Sequence, residues 1–159
     1  MAKIVGHSLC SISQDLTAVD DSQRNELGML GQDKQGNEYV YLQGIASTVV
    51  GSVVLFGNST AANFYVTALS ATGAKGLVAI AMGAIVASKF GWYQIRGLAS
   101  ANFNGAAVAG AKLYSASTGK CDDAVVAGDQ ITGGVVADTV AGSGLGPVGL
   151  FYPSMQGLG

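Results

Sequence analysis

The side chains able to do bond-making chemistry in this sequence are few and scattered. The single histidine, His7, sits near the N-terminus, and the two cysteines, Cys10 and Cys121, lie at opposite ends of the chain. With one imidazole, no Ser-His-Asp or Cys-His pair can form in the folded region unless the N-terminal segment folds back. The cysteines lack the paired spacing and companion histidines of a zinc site, and read as two free thiols of a reducing compartment. Outside the first quarter of the chain the clustered carboxylates are Asp122, Asp123, Asp129 and Asp138. Asp122, Asp123 and Asp129 are candidates for holding Ca²⁺, which takes about 6–8 oxygen ligands. The simpler reading is a solvated turn whose acids cap backbone amides.

Two glycine-rich stretches resemble phosphate loops only superficially. Gly142-Ser143-Gly144-Leu145-Gly146 is followed by Pro147 and a strand-like segment, not by a helix and a later acidic residue, so it reads as a flexible connector. Thr72-Gly73-Ala74-Lys75 is followed by Gly76 where a P-loop needs a hydroxyl. No enzyme activity and no cofactor are expected from these residues. The aromatic side chains are a different matter. Trp and Tyr are favoured interface anchors, and Tyr39, Tyr41, Phe64, Trp92 and Tyr93 are the candidates here, with core packing as the competing role. Base stacking is disfavoured because no Lys/Arg stripe runs among them.

The elements that must position these residues are strands. Short apolar stretches separated by glycine and small polar residues run from Glu26 onward. Strands are expected at 27–31, 38–42, 52–56, 64–69, 77–80, 84–88, 92–98, 112–115, 134–137 and 148–152. A helix competes only at 77–88, where Gly76, Gly83 and Gly91 argue against it. Residues 32–37 should turn a hairpin, with Gly36 at positive φ. In residues 38–42 both faces carry large groups, so that strand should be covered on both sides. Leu42-Gln43-Gly44-Ile45-Ala46-Ser47 echoes Ile95-Arg96-Gly97-Leu98-Ala99-Ser100, which suggests two similar halves. The fold class expected is all-β: a compact antiparallel β-barrel or β-sandwich over residues 26–159, preceded by an irregular arm over residues 1–25. The arm, with a short helical turn near 13–16, is either mobile or ordered by a neighbour.

Composition narrows the function. Charged residues make up 11% of the 159 positions, against about 25% in ordinary globular domains. Half of them lie in the first quarter of the chain, from Lys3 to Glu38. Such a chain covers itself with Ser, Thr, Asn and Gly, or is covered by partners. A net charge of −2 gives no footprint for nucleic acid and no polybasic membrane patch. The longest apolar run, 77–87, is too short to span a bilayer, and the N-terminus lacks a signal-peptide core. Synthesis and assembly in a cytoplasm are expected.

Four segments carry a family resemblance. They are Glu38-Tyr39-Val40-Tyr41-Leu42-Gln43; Gly91-Trp92-Tyr93-Gln94-Ile95-Arg96-Gly97; Val108-Ala109-Gly110-Ala111-Lys112-Leu113-Tyr114; and Gly133-Gly134-Val135-Val136-Ala137 before Val148-Gly149-Leu150. In order and spacing, over about residues 26–153, they resemble the small capsid decoration (cement) proteins of tailed phages. The resemblance implies a β-barrel or β-sandwich on the capsid exterior, often a homotrimer, that clamps neighbouring subunits of the major capsid protein. Two other classes remain: a carbohydrate- or ligand-binding β-module of a phage fibre or other minor virion protein, and, less favoured, a small hydrolase or metalloenzyme.

Overall fold

The computed structural model describes residues 10–57 and 61–157. It is all-β, with one short 3-10 turn at Ala61–Asn63. The strands are β1 (Cys10–Ser11), β2 (Leu30–Gln32), β3 (Glu38–Gln43), β4 (Val53–Phe56), β5 (Ala68–Leu69), β6 (Gly76–Ala81), β7 (Phe90–Phe103), β8 (Lys112–Ser115), β9 (Cys121–Asp122), β10 (Gln130–Val136) and β11 (Gly144–Met155). They form one hydrogen-bonded sheet in the order β1-β2-β3-β7-β9-β8-β10-β11-β6-β4-β5, with β7 also pairing β11 and β6. The path from β7 through β9, β8, β10 and β11 therefore returns to β7. All pairs are antiparallel except β1–β2 and β7–β9.

β7 organises the sheet. Its first half pairs with β3, and its second half with β11 over Phe103↔Gly144 to Arg96↔Phe151. The exchange of partners falls at Gly97, whose φ of +95° would strain a side-chain-bearing residue. A Cβ there would also overlap the Asn37 amide oxygen. The carbonyls around this break are satisfied from within. The Gln94 side chain, 2% exposed, donates from Nε2 to the carbonyls of Arg96 and Leu98, each at 3.0 Å. The Leu98 N–H donates to Asn37 Oδ1 at 3.3 Å.

Asn37 is held in turn by the β2–β3 hairpin. Asp33 accepts from the backbone N–H groups of Gln35 and Asn37, from Asn37 Nδ2 and from the Tyr39 hydroxyl. Burial pushes the Asp33 carboxyl up, but these hydrogen bonds together outweigh it and hold it below the usual range. Gly36 takes φ +85°, as the hairpin needs.

Three clusters fill the interior. The largest gathers Val53, Leu55, Val78, Ile80, Phe103, Leu113, Ile131, Val148 and Leu150 between β4, β6, β7, β8, β10 and β11. The second holds Val40, Leu42, Val54, Ile85, Tyr93 and Ile95. The third joins Tyr39, Tyr41 and Trp92 to Ile12, Leu16, Leu27 and Met29. Every residue from Glu38 to Leu42 is buried, so β3 is covered on both faces as its sequence implies.

Several expectations need correction. Residues 84–88 are not a strand but an irregular loop with a turn at 87–88: Ile85 folds into the second cluster while its carbonyl abuts Gly44, a contact that leaves no room for a Cβ. The 64–69 strand shrinks to β5. Residues 142–146 are not a free connector, because β11 begins at Gly144 and pairs Phe103, Asn102 and Ala101. Gly146 is required there: a Cβ would press on the Phe103 ring at 2.9 Å. The echoed segments adopt different structures, one leaving β3 and the other running through β7. No helical turn forms at 13–16. Residues 10–25, read from sequence as part of an arm, are tied to the chain's own sheet. β1 pairs β2, and Asp20 bridges Phe90 by N–H to carbonyl bonds of 2.8 and 3.0 Å in each direction. The earlier residues of that arm, with His7, lie outside the described residues.

Two outcomes are expected. Gln94→Leu keeps the volume and removes both donors, so two buried carbonyls lose partners and unfolding in urea should show a loss of about 2–4 kcal/mol. Asp33→Asn should lower stability by about 1 kcal/mol near neutral pH. The folded pKa of Asp33 is depressed, so its contribution is present above the unfolded carboxylate value of about 3.9 and is lost as pH falls through the lower folded value. The difference between variant and parent should therefore close on acidification, as followed by urea midpoints across pH.

Candidate docking surface

Four of the five aromatic residues nominated as anchors are turned inward. Tyr39 and Trp92 are 3% exposed, and Tyr41 and Tyr93 are fully buried. Because side chains alternate across a strand, Tyr39 and Tyr41 share one face of β3, and Trp92, paired with Tyr41, lies beside them. The Trp92 and Tyr41 rings meet edge to face at 5.3 Å. Their polar tips reach the N-terminal segment: the Tyr41 hydroxyl donates to Asp20 Oδ2 at 2.6 Å, and Trp92 Nε1 donates to Gln14 Oε1 at 3.4 Å. Gln14 and Arg24 complete the Asp20 shell, Gln14 through Nε2 and Arg24 through an ion pair of 3.1 Å. Burial, and after it the hydrogen bond to Asp20, push the Tyr41 hydroxyl up to about 12. Tyr39, Tyr41 and Trp92 dock the chain's own residues 12–29, and Tyr93 packs in the second cluster with Val40, Leu42 and Val54. Phe64 alone is partly exposed, stacked edge to face on Tyr65 at 4.9 Å.

The acidic residues do not converge. Asp122 accepts from the Ala124 N–H, Asp123 from the Val108 N–H and Asp138 from the Thr139 N–H, which is the capping role. Among the described residues no three His, Cys, Asp or Glu side chains gather as metal ligands. Cys121 is a buried free thiol donating to the Asn102 carbonyl, and burial, with help from Asp122, raises its pKa to about 12. A thiol so placed is a poor nucleophile. No described helix is long and apolar enough to cross a membrane.

What the molecule presents to solvent is the outer face of β7, β10 and β11. Inward-facing Ala99, Ala101, Phe103, Val148 and Leu150 alternate with outward-facing residues along these strands. On the outside Leu98 is 65% exposed, Phe151 66%, Leu145 56% and Val135 41%. The register builds rows across the sheet: Leu145 beside Asn102, Pro147 beside Ser100, Leu98 beside Gly149 and then Val135, and Phe151 beside Arg96. Gly149 leaves a notch between Leu98 and Val135, continuous with an open groove floored by Gly97, Gly133 and Gly134. Two cations approach this face. Lys112 opposes Val135 at its margin. Arg96 lies 5.7 Å above the Phe151 ring and pairs with Glu38 at 3.0 Å.

A smaller concavity of about 280 Å³ lies between Leu30, Val40, Phe64, Tyr65, Leu77 and Tyr152. Tyr152 forms its wall at φ +47°, a strained value for a bulky residue, and its hydroxyl donates to Glu38 Oε2. Sequence reasoning named Phe64, which edges the concavity, but missed Tyr152 and the outer face of β7, β10 and β11. The alternation of Leu145, Pro147, Gly149 and Phe151 was the available signal, obscured by reading residues 142–146 as a connector.

No protein-family model matches this chain, and neither the curated proteins nor the solved structures include a significant match.

The aromatic cluster generates a direct test. Tyr41→Phe removes the donor to Asp20 and leaves that buried carboxylate one partner short, so stability should fall by about 1–3 kcal/mol. Residues 12–29 should then be cut sooner in limited proteolysis than in the parent, at unchanged positions elsewhere.

Proposed function

We propose that this chain is a structural virion protein of the capsid decoration type, binding the outer surface of a phage capsid and cementing neighbouring major capsid subunits. The observation that carries the reading is the outer face of β7, β10 and β11, an apolar, glycine-notched sheet surface with one neutralised and one marginal charge. Apolar patches rimmed by polar residues mark association surfaces, and well-packed notches are where anchor side chains insert. We read the closed pairing of β7, β9, β8, β10 and β11 as a small β-barrel, whose rigidity would let that face dock without reordering. The order of the four sequence segments that resemble the cement proteins supports the same assignment. The capsid exterior, the major capsid protein as partner and self-association into a homotrimer belong to this proposal.

The concavity at Tyr152 favours a second reading. An apolar cleft edged by Phe64, Tyr65 and Tyr152 is the kind of place where a ligand-binding β-module would seat an aromatic or sugar face.

The test is binding of the purified chain to shells assembled from the capsid protein of the same virion. Discrete projections at symmetric surface positions in electron micrographs are expected. Leu98→Asp places a charge at the centre of the face without touching the core, and should reduce shell binding more than about tenfold at unchanged melting temperature. A chain that ignores shells, or binds them equally with Asp at position 98, would sink the proposal; saturable sugar binding abolished by Tyr152→Ala would favour the second reading.

A further inference from the structure

Asp129 is wholly buried, yet its carboxylate is half-partnered. Oδ1 accepts from the Gly73 N–H at 2.6 Å, while Oδ2 has no hydrogen-bond partner. The ion pairs among the described residues join Asp20 to Arg24, Asp21 to Lys89 and Glu38 to Arg96, and none includes Asp129. A carboxylate removed from water without a counter-charge is among the most costly groups a fold can hold.

Two other orphaned oxygens sit at the same end of the core. Ser115 stands directly opposite Asp129, donating its N–H to the Asp129 carbonyl at 2.8 Å. Directly opposed residues of an antiparallel pair project to the same side, and here that is the side of Leu113 and Ile131, both core residues. Ser115 is 1% exposed and its Oγ is unpartnered. Ser70, fully buried and also unpartnered at Oγ, lies three residues before Gly73 and accepts at its carbonyl from the Gly119 N–H. The register sets Ser115 and Asp129 on one side, and the Gly73–Asp129 bond brings the turn after Ser70 to them, so three unpartnered oxygens belong to adjoining segments. A water molecule would satisfy hydrogen bonds but leave the negative charge uncompensated. Ca²⁺ would leave net positive charge beside a single carboxylate. A monovalent ion matches the one charge.

We propose that Asp129 Oδ2 and the hydroxyl oxygens of Ser115 and Ser70 form a buried site for one alkali cation, sodium or potassium. The ion would pin the 70–74 turn, already held by the Gly73–Asp129 bond, against the ends of β8 and β10. The site shares no residue with the docking face and does not depend on it.

Thermal unfolding tests this in sodium, potassium or tetramethylammonium chloride at equal ionic strength. Sodium or potassium should raise the melting temperature saturably, by about 3–6 °C at tenfold above its dissociation constant, whereas tetramethylammonium, too large to enter, should not. Asp129→Asn should abolish the difference. Should that variant fail to fold, Ser115→Ala keeps the charge and should move the dependence to higher cation concentration. Crystals soaked in rubidium chloride should give an anomalous peak beside Asp129 Oδ2. Identical melting in all three salts, or an ordinary water at that position in the rubidium crystal, would overturn the proposal.

Discussion

The constraint on which this structure rests is that one strand must serve two sets of neighbours. β7 is fourteen residues long, and its partner changes from β3 to β11 around Arg96–Leu98. A backbone that changes partners leaves amides and carbonyls briefly without a ladder, and buried backbone groups cannot stay unpaired cheaply. The chain meets this with side-chain amides. Gln94 supplies two donors and Asn37 one acceptor, while Gly97 provides the backbone geometry. Asp33 then fixes Asn37. A surface hairpin and a buried glutamine thus hold one junction, and the strands on either side inherit their register from it.

The second dependency is the docking of the N-terminal segment. β3 has no solvent face, because Val40 and Leu42 enter one cluster while Tyr39 and Tyr41 enter another. The second of these would stand open without Ile12, Leu16, Leu27 and Met29. Apolar area drives the contact, and the polar tips make it specific, since Tyr and Trp bury well only where their O–H and N–H find partners. Asp20 is the receiving group, 3% exposed and reached by Tyr41, Gln14 and Arg24. The aromatic residues that look like adhesive surface in the sequence are adhesive, but toward this chain.

How much of this was legible in the sequence follows from the range of each interaction. β3, β4, β6 and β8, together with the Gly36 hairpin, are set by local alternation and turn chemistry and were readable. The second half of β7 was not, because a glycine that switches partners looks the same in sequence as one that ends a strand. The start of β11 was hidden for a related reason. Gly146 is there for close approach to Val140 and Phe103, and that need exists only once distant strands meet. The inward turn of Tyr41 and Trp92 depends on Gln14 and Asp20, which carry no periodic signal of their own. At the candidate face, Phe151 and Leu98 were within expected strands, but their outward direction required the register of β7 against β11.

The scarcity of charge acquires a spatial meaning once the charged groups are placed. In the chain beyond Glu38 they are Lys75, Lys89, Arg96, Lys112, Lys120, Asp122, Asp123, Asp129 and Asp138. Lys89 and Arg96 are paired to Asp21 and Glu38. Asp122, Asp123 and Asp138 cap backbone amides, and Asp129 is buried. That leaves Lys75, Lys112 and Lys120 outside the described ion pairs, and of these Lys112 borders the β7–β10–β11 face through its pairing with Val135. A soluble monomer keeps apart from its copies by spreading charge over exposed sheet faces. Here most of the charges are committed to turns, ion pairs and the N-terminal segment, and the outer face carries Leu98, Val135, Leu145 and Phe151 among Gly, Pro, Ser and Asn. That distribution favours a surface meant to be covered, and it is the physical reason for placing the proposed docking role on this face instead of on the buried aromatics.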